Sequence, residues 1–552
     1  MIKDYPLDIT RVPFSRRTAG CMIFCEENGA QLDADNGLYL SQNVESVLMG
    51  GAQFLRNKNY LLITPVLGAE PVEYTYSATM SKITIKADAG IIEITFDRDR
   101  GMRIKADKLG IRLTAKMGFG DVAALNGTAA KIEMDTGVFN IVPKVGTITV
   151  DSHYDLLMYR YSDPVIELIP DDGKLEVTVY DRTYDPGMEQ TGTFEECVAA
   201  MEEDLNAFAD ILVDVPDGLE TLIYGLWIAE KPFRETIDMY PSNVVTAVYP
   251  IAKEQPILAL PFKCTKKAAE LITNFGEYTT KQGLVPEYVK RSMELFQTVG
   301  MDYGYAALDL LDKGDVSGED AAKIYDFLAT VNRWWTNNRT NDGGISFFYA
   351  YNFECGNLKS STIKMGTPAI TPDLMTRMIL LAQALAAYAE KIGAESAAAV
   401  WKETADARYR FLMEKLWKDG KFVCMLADGT EYESDSVMCC APIMLGKTLC
   451  ADAAKAVADT VVNKFLVPGK GITVEAGEED IDTVTMSLII SGLADAGFAA
   501  EAKAAADAVM EFIAENGLYA EYSAVTAPEK RCAALYQPVA CAAVLAAVSK
   551  TL

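Results

Sequence analysis

"ITPDLMTRMILLAQALAAYAEKIGA", residues 370–394, indicates more about the fold than any other stretch of the chain. Its apolar side chains recur every three to four residues, which predicts an amphipathic helix; they are Leu374, Met378, Leu381, Leu385 and Tyr388. Thr371 is a suitable cap, Pro372 suits the first helical position, and Gly393 is a natural stop. The stretch therefore predicts one long helix with a defined beginning and end.

The same helical spacing continues through nearly every segment from residue 219 to the end of the chain. Many of these helices are rich in alanine, which permits close packing, and the loops between them alternate in length. Ordinary helix and loop lengths predict about a dozen helices in this part. Sequential hairpins of that number favour a double-ring (α/α)6 toroid barrel. An α-solenoid fits the length equally well, although no repeated sequence motif is present.

The first 190 residues show a different pattern, in which apolar and polar residues alternate and Gly/Asp turns follow at short intervals. "SKITIKAD" (81–88) and "GIIEITFDRDRG" (90–101) are examples. Alternation with a period of two predicts an antiparallel β-sandwich. Helical spacing begins within residues 192–218. The predicted organisation is thus a β-sandwich domain (1–190), a linker helix (191–218) and a catalytic barrel (219–552).

Composition excludes several classes of function. The formal net charge of −27 repels phosphate backbones and acidic lipids, so neither nucleic acid nor a membrane is a predicted partner. The eleven scattered cysteines include no CxxC pair, and His153 is the single histidine, so no metal or cofactor site is predicted. The thiols suit a reducing compartment, and neither a signal-peptide core nor a long apolar run is present. These features predict a cytoplasmic protein whose acid–base chemistry would rely on carboxylates.

One segment combines aromatic rings with polar groups, as sugar-binding sites do. "RWWTNNRTNDGGISFFYAYNFECGNLKSS" (333–361) contains Tyr351, Glu354 and Lys359, although a long loop packed on the β-domain would have a similar composition. "QTVGMDYGYAALDLL" (297–311) places three candidate substrate-binding residues at the start of a helix, where ordinary capping is the alternative; they are Asp302, Tyr303 and Tyr305.

"GLYAEYSAVT" (517–526) carries one carboxylate between two tyrosines. If this stretch is extended, Glu521 shares a face with Tyr519, while Tyr522 faces the other way. A solvated surface glutamate is the alternative reading of the local pattern. All three residues are candidates for a substrate site.

The order of the motifs resembles the α/α-barrel glycosidases of glycoside hydrolase family 63, which are related to the trehalases. "WWTNNRTNDGG" is similar to the family's "WWxxNRDxDGxG", and "ITPDLMTRMILLAQALAAYAEKIG" to its "SPDLNAxLxxxxxxLAxxAExLG". "GMDYGYAALDLL" resembles "PPxHGWAL", and "GLYAEYSAVTA" the "FYExYxPxTG" loop. The resemblance covers about residues 190–548.

The resemblance implies an inverting glycoside hydrolase, in which an acid protonates the leaving oxygen and a base activates water. The family base corresponds to Glu521. The family acid lies in "ESGWDxS", which here reads "ECGNLKS", so Leu358 replaces the aspartate. Glu354 is the substitute that the resemblance offers, with Asp302, Asp342 and Asp482 as further candidates. Several sugar-binding tryptophans of the family are also absent.

The sequence therefore predicts a divergent inverting hydrolase of a small glycoside or oligosaccharide. One alternative is a carbohydrate-binding protein that has lost catalysis. Another is a sugar lyase on the same barrel, with Lys359 and either Tyr351 or Tyr522 in its chemistry. The sugar, the linkage and the oligomeric state are not predicted.

Overall fold

The computed structural model describes the greater part of the chain. The described residues are 2, 5–10, 12–17, 21–26, 37–41, 46–49, 52–55, 60–97, 101–115, 117, 120–134, 137–180, 192–229, 255–286, 288–290, 293–295, 302–355, 360–518, 521–522 and 538–552. Only the backbone is described for residues 26, 41, 46–49, 52–55, 60, 134, 137, 229, 288–290, 293–295, 352–353 and 521–522.

Contacts divide the chain into two compact units. The described residues of Met1–Asp210 and Glu220–Val248 belong to unit 1. Those of Ile211–Leu219, Tyr249–Ala533 and Gln537–Leu552 belong to unit 2. Phe194–Asp210, within the predicted linker, lies in unit 1, whereas the turn that follows it lies in unit 2.

Unit 1 is rich in β-strands. They are β1 (Met22–Glu26), β2 (Gly37–Ser41), β3 (Ser46–Met49), β4 (Ala52–Leu55), β5 (Tyr60–Leu67), β6 (Glu70–Pro71), β7 (Thr75–Ala78), β8 (Ile83–Ala87), β9 (Gly90–Phe96), β10 (Gly101–Asp107), β11 (Gly110–Thr114), β12 (Val122–Asn126), β13 (Ala129–Met134), β14 (Gly137–Val145), β15 (Thr147–Asp151), β16 (Tyr154–Asp155), β17 (Arg160–Tyr161), β18 (Val165–Ile169) and β19 (Lys174–Tyr180). Two helices, α1 (Phe194–Asp210) and α2 (Glu220–Ala229), follow.

These strands form two large antiparallel sheets among the described residues. One sheet has seven strands in the order β1-β2-β5-β11-β18-β15, with β6 paired to β5. The other has eight strands in the order β12-β13-β14-β19-β10-β9-β8-β7. In the second sheet Ile83 pairs with Ile94 and Ile85 with Ile92, and all four side chains are buried. The predicted alternation is thus confirmed here, because these apolar residues share one covered face of the sheet.

Unit 2 is mainly helical. Its α-helices are α3 (Gln255–Ala259), α4 (Thr265–Thr273), α5 (Tyr303–Lys313), α6 (Gly318–Asn338), α7 (Pro372–Lys391), α8 (Glu395–Phe411), α9 (Ala451–Thr460), α10 (Thr483–Asp495), α11 (Ala499–Asn516) and α12 (Pro538–Ser549). Short 3-10 helices occupy Gly276–Tyr278, Asn352–Cys355, Ser361–Ile363 and Val437–Thr448, and π-helical turns occupy Leu412–Leu416 and Val461–Phe465. The short strands are β20 (Tyr288–Lys290), β21 (Met293–Leu295), β22 (Ala369–Ile370), β23 (Trp417–Lys418), β24 (Lys421–Phe422), β25 (Cys424–Leu426), β26 (Glu431–Tyr432), β27 (Leu466–Val467), β28 (Gly471–Ile472), β29 (Ile481–Asp482) and β30 (Glu521–Tyr522).

The helix α7 confirms the prediction made for residues 370–394, with one difference. Pro372 begins the helix, and Gly393, at a φ of 76°, follows its end. Thr371 occupies the cap position, but its hydroxyl makes no capping hydrogen bond. The helix is also buried on more than its predicted stripe, since Met375, Ile379 and their neighbours are covered as well. It therefore lies inside the unit, with helices around it.

Six helical segments contact one another in sequence within unit 2. The helix α3 contacts α5, α5 contacts α7, and α7 contacts the Val437–Thr448 helix. That helix contacts α10, α10 contacts α12, and α12 contacts α3 again. Every residue from Pro538 to Val548 of α12 is buried, which explains why its sequence is apolar on all sides. The helices α4, α6, α8, α9 and α11 alternate with these six along the chain.

No helix in the described part of the chain is both long enough and apolar enough to cross a membrane.

Candidate active site at the amino ends of the buried helices

Polar side chains gather where the chain enters the buried helices of unit 2. We call the segments that precede α7, the Val437–Thr448 helix and α10 the amino-end loops; their described residues are 340–355 and 360–371, 417–436, and 466–482. The first of these loops contacts the other two through hydrogen bonds, and the third pairs with β30 ahead of α12. Polar side chains from the loops of several helices can therefore form one site here.

A buried charge cluster joins the amino ends of α5 and α7. Arg377 donates from Nε to Asp302 Oδ1 at 2.9 Å and from Nη1 to Asp373 Oδ2 at 3.0 Å. The Tyr349 hydroxyl donates to Asp373 Oδ2 at 2.7 Å. Burial disfavours a charged guanidinium, but Asp302, Tyr349 and Asp373 outweigh it and raise the pKa of Arg377. We call these four residues the Arg377 cluster, and its charges fix the two helix ends relative to each other.

Two of the predicted substrate-binding residues lie at this cluster. The Asp302 side chain is buried and engaged by Arg377. Tyr303 is fully buried, its ring set edge-on against Phe327 at 5.0 Å, and burial raises the pKa of its hydroxyl. Both side chains thus contact other residues of the protein, and their roles toward a substrate remain predictions.

Tyr305 does not join this group. Its hydroxyl donates to Asp495 Oδ2 at 3.0 Å and accepts from Lys550 Nζ at 3.0 Å. Asp495 is the last residue of α10, and Lys550 follows the end of α12. Burial disfavours the ammonium, but Tyr305, Asp309 and Asp495 raise the pKa of Lys550. Tyr305 thus ties α5 to the carboxyl ends of two helices, and the amino-end loops lie at the opposite ends of those helices.

Glu354 is held by four hydrogen bonds. Its Oε1 accepts from Arg339 Nε at 2.9 Å and from Arg339 Nη2 at 2.6 Å. Its Oε2 accepts from the backbone amides of Ala350, at 2.5 Å, and Tyr351, at 3.3 Å. The side chain is only 3% exposed. Both carboxylate oxygens are thus engaged by Arg339 and by the backbone of the loop, so these contacts favour an anchor for the 339–354 loop over a proton donor.

The remaining carboxylates proposed as acids also accept hydrogen bonds from the protein. Asp342 accepts from Ser346 and Thr340; burial alone would raise its pKa, but these hydrogen bonds outweigh burial and lower it. Asp482 accepts from the Thr485 amide at 2.7 Å and caps α10. Each of these side chains thus has a structural contact that explains its presence.

Among the described aromatic side chains of the first amino-end loop, Tyr351 is the most exposed, with 64% of its surface accessible. The guanidinium carbon of Arg339 lies 5.8 Å from its ring centroid and 4.8 Å from that of Trp334. Glu354 holds that same guanidinium. An exposed ring next to a fixed cation offers an apolar face with polar groups beside it, which is the arrangement that sugars bind.

The last predicted site residues are described in part. Glu521 and Tyr522 form β30, in which Glu521 lies directly opposite Asp482 and Tyr522 opposite Ile481. Their side chains, together with Lys359 and Tyr519, lie outside the described residues. The backbone register therefore sets Glu521 beside the residue that caps α10.

A hydroxyl cluster that the sequence analysis missed joins the three amino-end loops. Glu475 accepts from the Ser361 amide and hydroxyl, both at 2.7 Å. Ser361 Oγ lies 2.7 Å from Ser434 Oγ, and Ser360 Oγ donates to Ser436 Oγ at 2.8 Å. The serine pairs "SS" and "SDS" were a signal for this cluster, since such runs within an apolar region need buried partners.

For the glycosidase that the sequence resemblance implies, we expect Glu354→Gln to slow hydrolysis of activated and unactivated glycosides by the same factor. An anchor affects both substrates through loop geometry, whereas loss of a general acid spares a substrate whose leaving group needs no proton. Arg339→Met, which removes the same ion pair, is the matched variant. The measurement is kcat/KM on a dinitrophenyl glycoside and on the corresponding alkyl glycoside. A decrease confined to the alkyl glycoside, absent in Arg339→Met, would identify Glu354 as the acid.

No group of three or more His, Cys, Asp and Glu side chains in the described part of the chain is arranged to hold a metal ion.

Known structures share this fold, although no protein-family model matches the chain and no curated protein matches it by sequence. A bacterial glucoamylase crystallised in complex with acarbose matches over 100% of this chain and 95% of its own, with a TM-score of 0.60 and 9% sequence identity. An uncharacterised conserved protein from Thermus thermophilus matches over 54% of this chain and 93% of its own, with a TM-score of 0.45 and 13% identity. At 9% identity, the likeness to the glucoamylase concerns the fold: a sheet-rich N-terminal part followed by a helical part.

Proposed function

We propose that the protein is a glycoside hydrolase whose active site lies among the amino-end loops. The two sheets of unit 1 would form a β-sandwich, and the six buried segments of unit 2 the inner ring of an (α/α)6 toroid. The closed sequence of contacts from α3 through α12 back to α3 supports the toroid. The fold likeness to a glucoamylase solved with acarbose supports a carbohydrate ligand. The sequence resemblance to family 63 adds inversion as the stereochemical course.

The observation that carries this proposal is the position of Glu521 in the chain. It stands in β30, between α11 and α12, and its backbone pairs with Asp482 at the start of α10. Residues ahead of two successive buried helices thus meet at one point of the amino-end loops. As general base, Glu521 would remove a proton from the water that attacks the anomeric carbon. Tyr351 would stack against a neighbouring sugar ring.

The test is product stereochemistry. We expect the purified protein to hydrolyse at least one member of a panel of α- and β-linked glucosides, mannosides and galactosides, and to release the sugar with its anomeric configuration inverted. Proton NMR recorded in the first minutes, before the anomers equilibrate, distinguishes the two configurations. Release of the retained anomer would contradict the inverting mechanism, since that outcome requires two successive displacements at the anomeric carbon.

A second candidate function is sugar binding without turnover, and a specific observation favours it. Leu358 stands where the family pattern has its acid, and the described carboxylates considered as replacements, Glu354, Asp302, Asp342 and Asp482, are engaged by other groups of the protein. Calorimetric titration with the same glycoside panel separates the two functions. Heat of binding with no product after prolonged incubation would support the binding protein, and measurable hydrolysis would exclude it.

A further inference from the structure

Two reduced cysteines face each other beneath the amino-end loops. Cys424 Sγ and Cys439 Sγ lie 3.9 Å apart, and the two residues are separated by 15 positions in the chain. Cys424 is 0% exposed and Cys439 is 9% exposed. A disulfide has an S–S distance of about 2.05 Å, so bonding needs an approach of roughly 2 Å, which side-chain rotation and a small shift of the loop can supply.

The chain between these cysteines carries contacts that shape the candidate site. Its strand β25 pairs with β22, two residues ahead of α7. The Tyr432 hydroxyl donates to the Thr362 carbonyl at 2.5 Å, and Ser434 and Ser436 contact Ser361 and Ser360. Cys439 itself lies in the first turn of the Val437–Thr448 helix. A covalent bond between the two sulfurs would therefore join the start of that helix to the strand that positions α7.

We propose that Cys424 and Cys439 are a redox-sensitive pair, which peroxide converts into an intrachain disulfide that fixes the 424–439 segment. In the first step the Cys439 thiolate attacks one oxygen of hydrogen peroxide, giving a sulfenic acid and hydroxide. The Cys424 sulfur then displaces hydroxide from that sulfenic sulfur, and the S–S bond forms. Overall, two thiols and one hydrogen peroxide give one disulfide and two waters.

Exposure and geometry set the order of these steps. Cys439 is the more exposed of the two residues, so we expect it to meet the oxidant first. The contact with Cys439 and the burial of Cys424 both raise the pKa of the Cys424 thiol. Because this thiol therefore stays protonated at neutral pH, the second step is slow. Cys440 is adjacent in the same 3-10 helix, where successive side chains point about 120° apart. The disulfide should therefore form between Cys424 and Cys439 and exclude Cys440.

Peptide mapping of the whole protein tests this directly. Trypsin releases residues 422–447 as one peptide that contains Cys424, Cys439 and Cys440, because no Lys or Arg lies between Phe422 and Gly446. After peroxide treatment and alkylation of the remaining thiols, we expect this peptide to carry one alkyl group instead of three. Further cleavage at the acidic residues between the cysteines should leave the Cys424 fragment attached to the Cys439 fragment until a reductant is added.

Three variants complete the design. Cys439→Ser should abolish the linked fragments, whereas Cys440→Ser should form them as the wild type does. The exposed Cys450 lies on a different tryptic peptide and reports whether the oxidant dose was sufficient. The thermal midpoint of the oxidised wild type should rise and return on reduction, while that of Cys424→Ser should not change, because only a cross-link restricts the unfolded chain.

Two results would overturn the inference. One is an unlinked peptide, with three alkyl groups, at a dose that fully oxidises Cys450. The other is separation of the two fragments with a disulfide confined to Cys439 and Cys440. Both are read on the wild-type protein, so the test stands even if a variant fails to fold.

Discussion

Glu521→Gln is expected to lower kcat on the best glycoside by about 10²–10⁴-fold, which is the usual contribution of a general base. Glutamine keeps the size of the side chain and its hydrogen-bonding reach, but it cannot accept the proton of the attacking water. KM should change little, because the substrate contacts remain. The measurement is steady-state hydrolysis by the variant and the wild type at the same pH, with thermal unfolding of both to verify that the fold is intact.

Glu511→Gln is the matched control, because Glu511 is an exposed glutamate on α11, the helix that precedes β30. It loses the same charge from the same part of the chain and should retain wild-type turnover. Comparable decreases of kcat in both variants would mean that the loss of one negative charge, and not the loss of a catalytic base, lowers turnover. Normal turnover by Glu521→Gln would remove Glu521 from the mechanism and leave the proposed hydrolase without a base.

The pH profile provides an independent check on the same residue. A catalytic carboxylate must be ionised to act as a base, so kcat/KM of the wild type should fall at acidic pH. In Glu521→Gln this acidic decline should disappear from the residual activity. If it persists unchanged in the variant, another group is responsible for it.

Sequence patterns predicted those helices and strands that are determined by residues close together in the chain. The helix α7 follows from apolar spacing, a proline at its first turn and a glycine after its end, all within residues 370–394. The paired isoleucines of β8 and β9 follow from alternation over two short segments. Neither requires knowledge of a distant residue, because a helix or a hairpin is specified by its own side chains.

The candidate site could be predicted only in part, because its contacts join residues far apart in the chain. Asp302, Tyr303 and Tyr305 were grouped by adjacency, yet Tyr305 binds Lys550, 245 positions away. Arg377 lies in an otherwise apolar helix, and its partner Asp302 lies 75 positions earlier in the chain. No local sequence pattern therefore identifies Arg377 as part of the site. Spacing on one helix indicates which residues share a face and gives no information about what covers that face.

Arg377→Met is expected to lower the free energy of unfolding of unit 2 by about 3–5 kcal/mol. The substitution preserves the apolar stem of the side chain but removes the charge that two buried carboxylates require. Asp302 and Asp373 would then lie in a protein interior without their cation, which is the costly outcome when one partner of a buried pair is deleted. Arg410→Met, on the exposed side of α8, is the control and should change stability by at most about 0.5 kcal/mol.

Denaturant unfolding followed by tryptophan fluorescence measures this effect in the relevant unit, since four of the five tryptophans belong to unit 2: Trp334, Trp335, Trp401 and Trp417. Adding Asp302→Asn to Arg377→Met should recover part of the loss, because one unpaired charge disappears, whereas Asp302→Asn alone should destabilise the wild type. Asp373 still lacks its cation in the double variant and keeps only the hydrogen bond from the Tyr349 hydroxyl, so recovery should remain incomplete. Strictly additive losses in the double variant would show that the Arg377 cluster does not act as a unit.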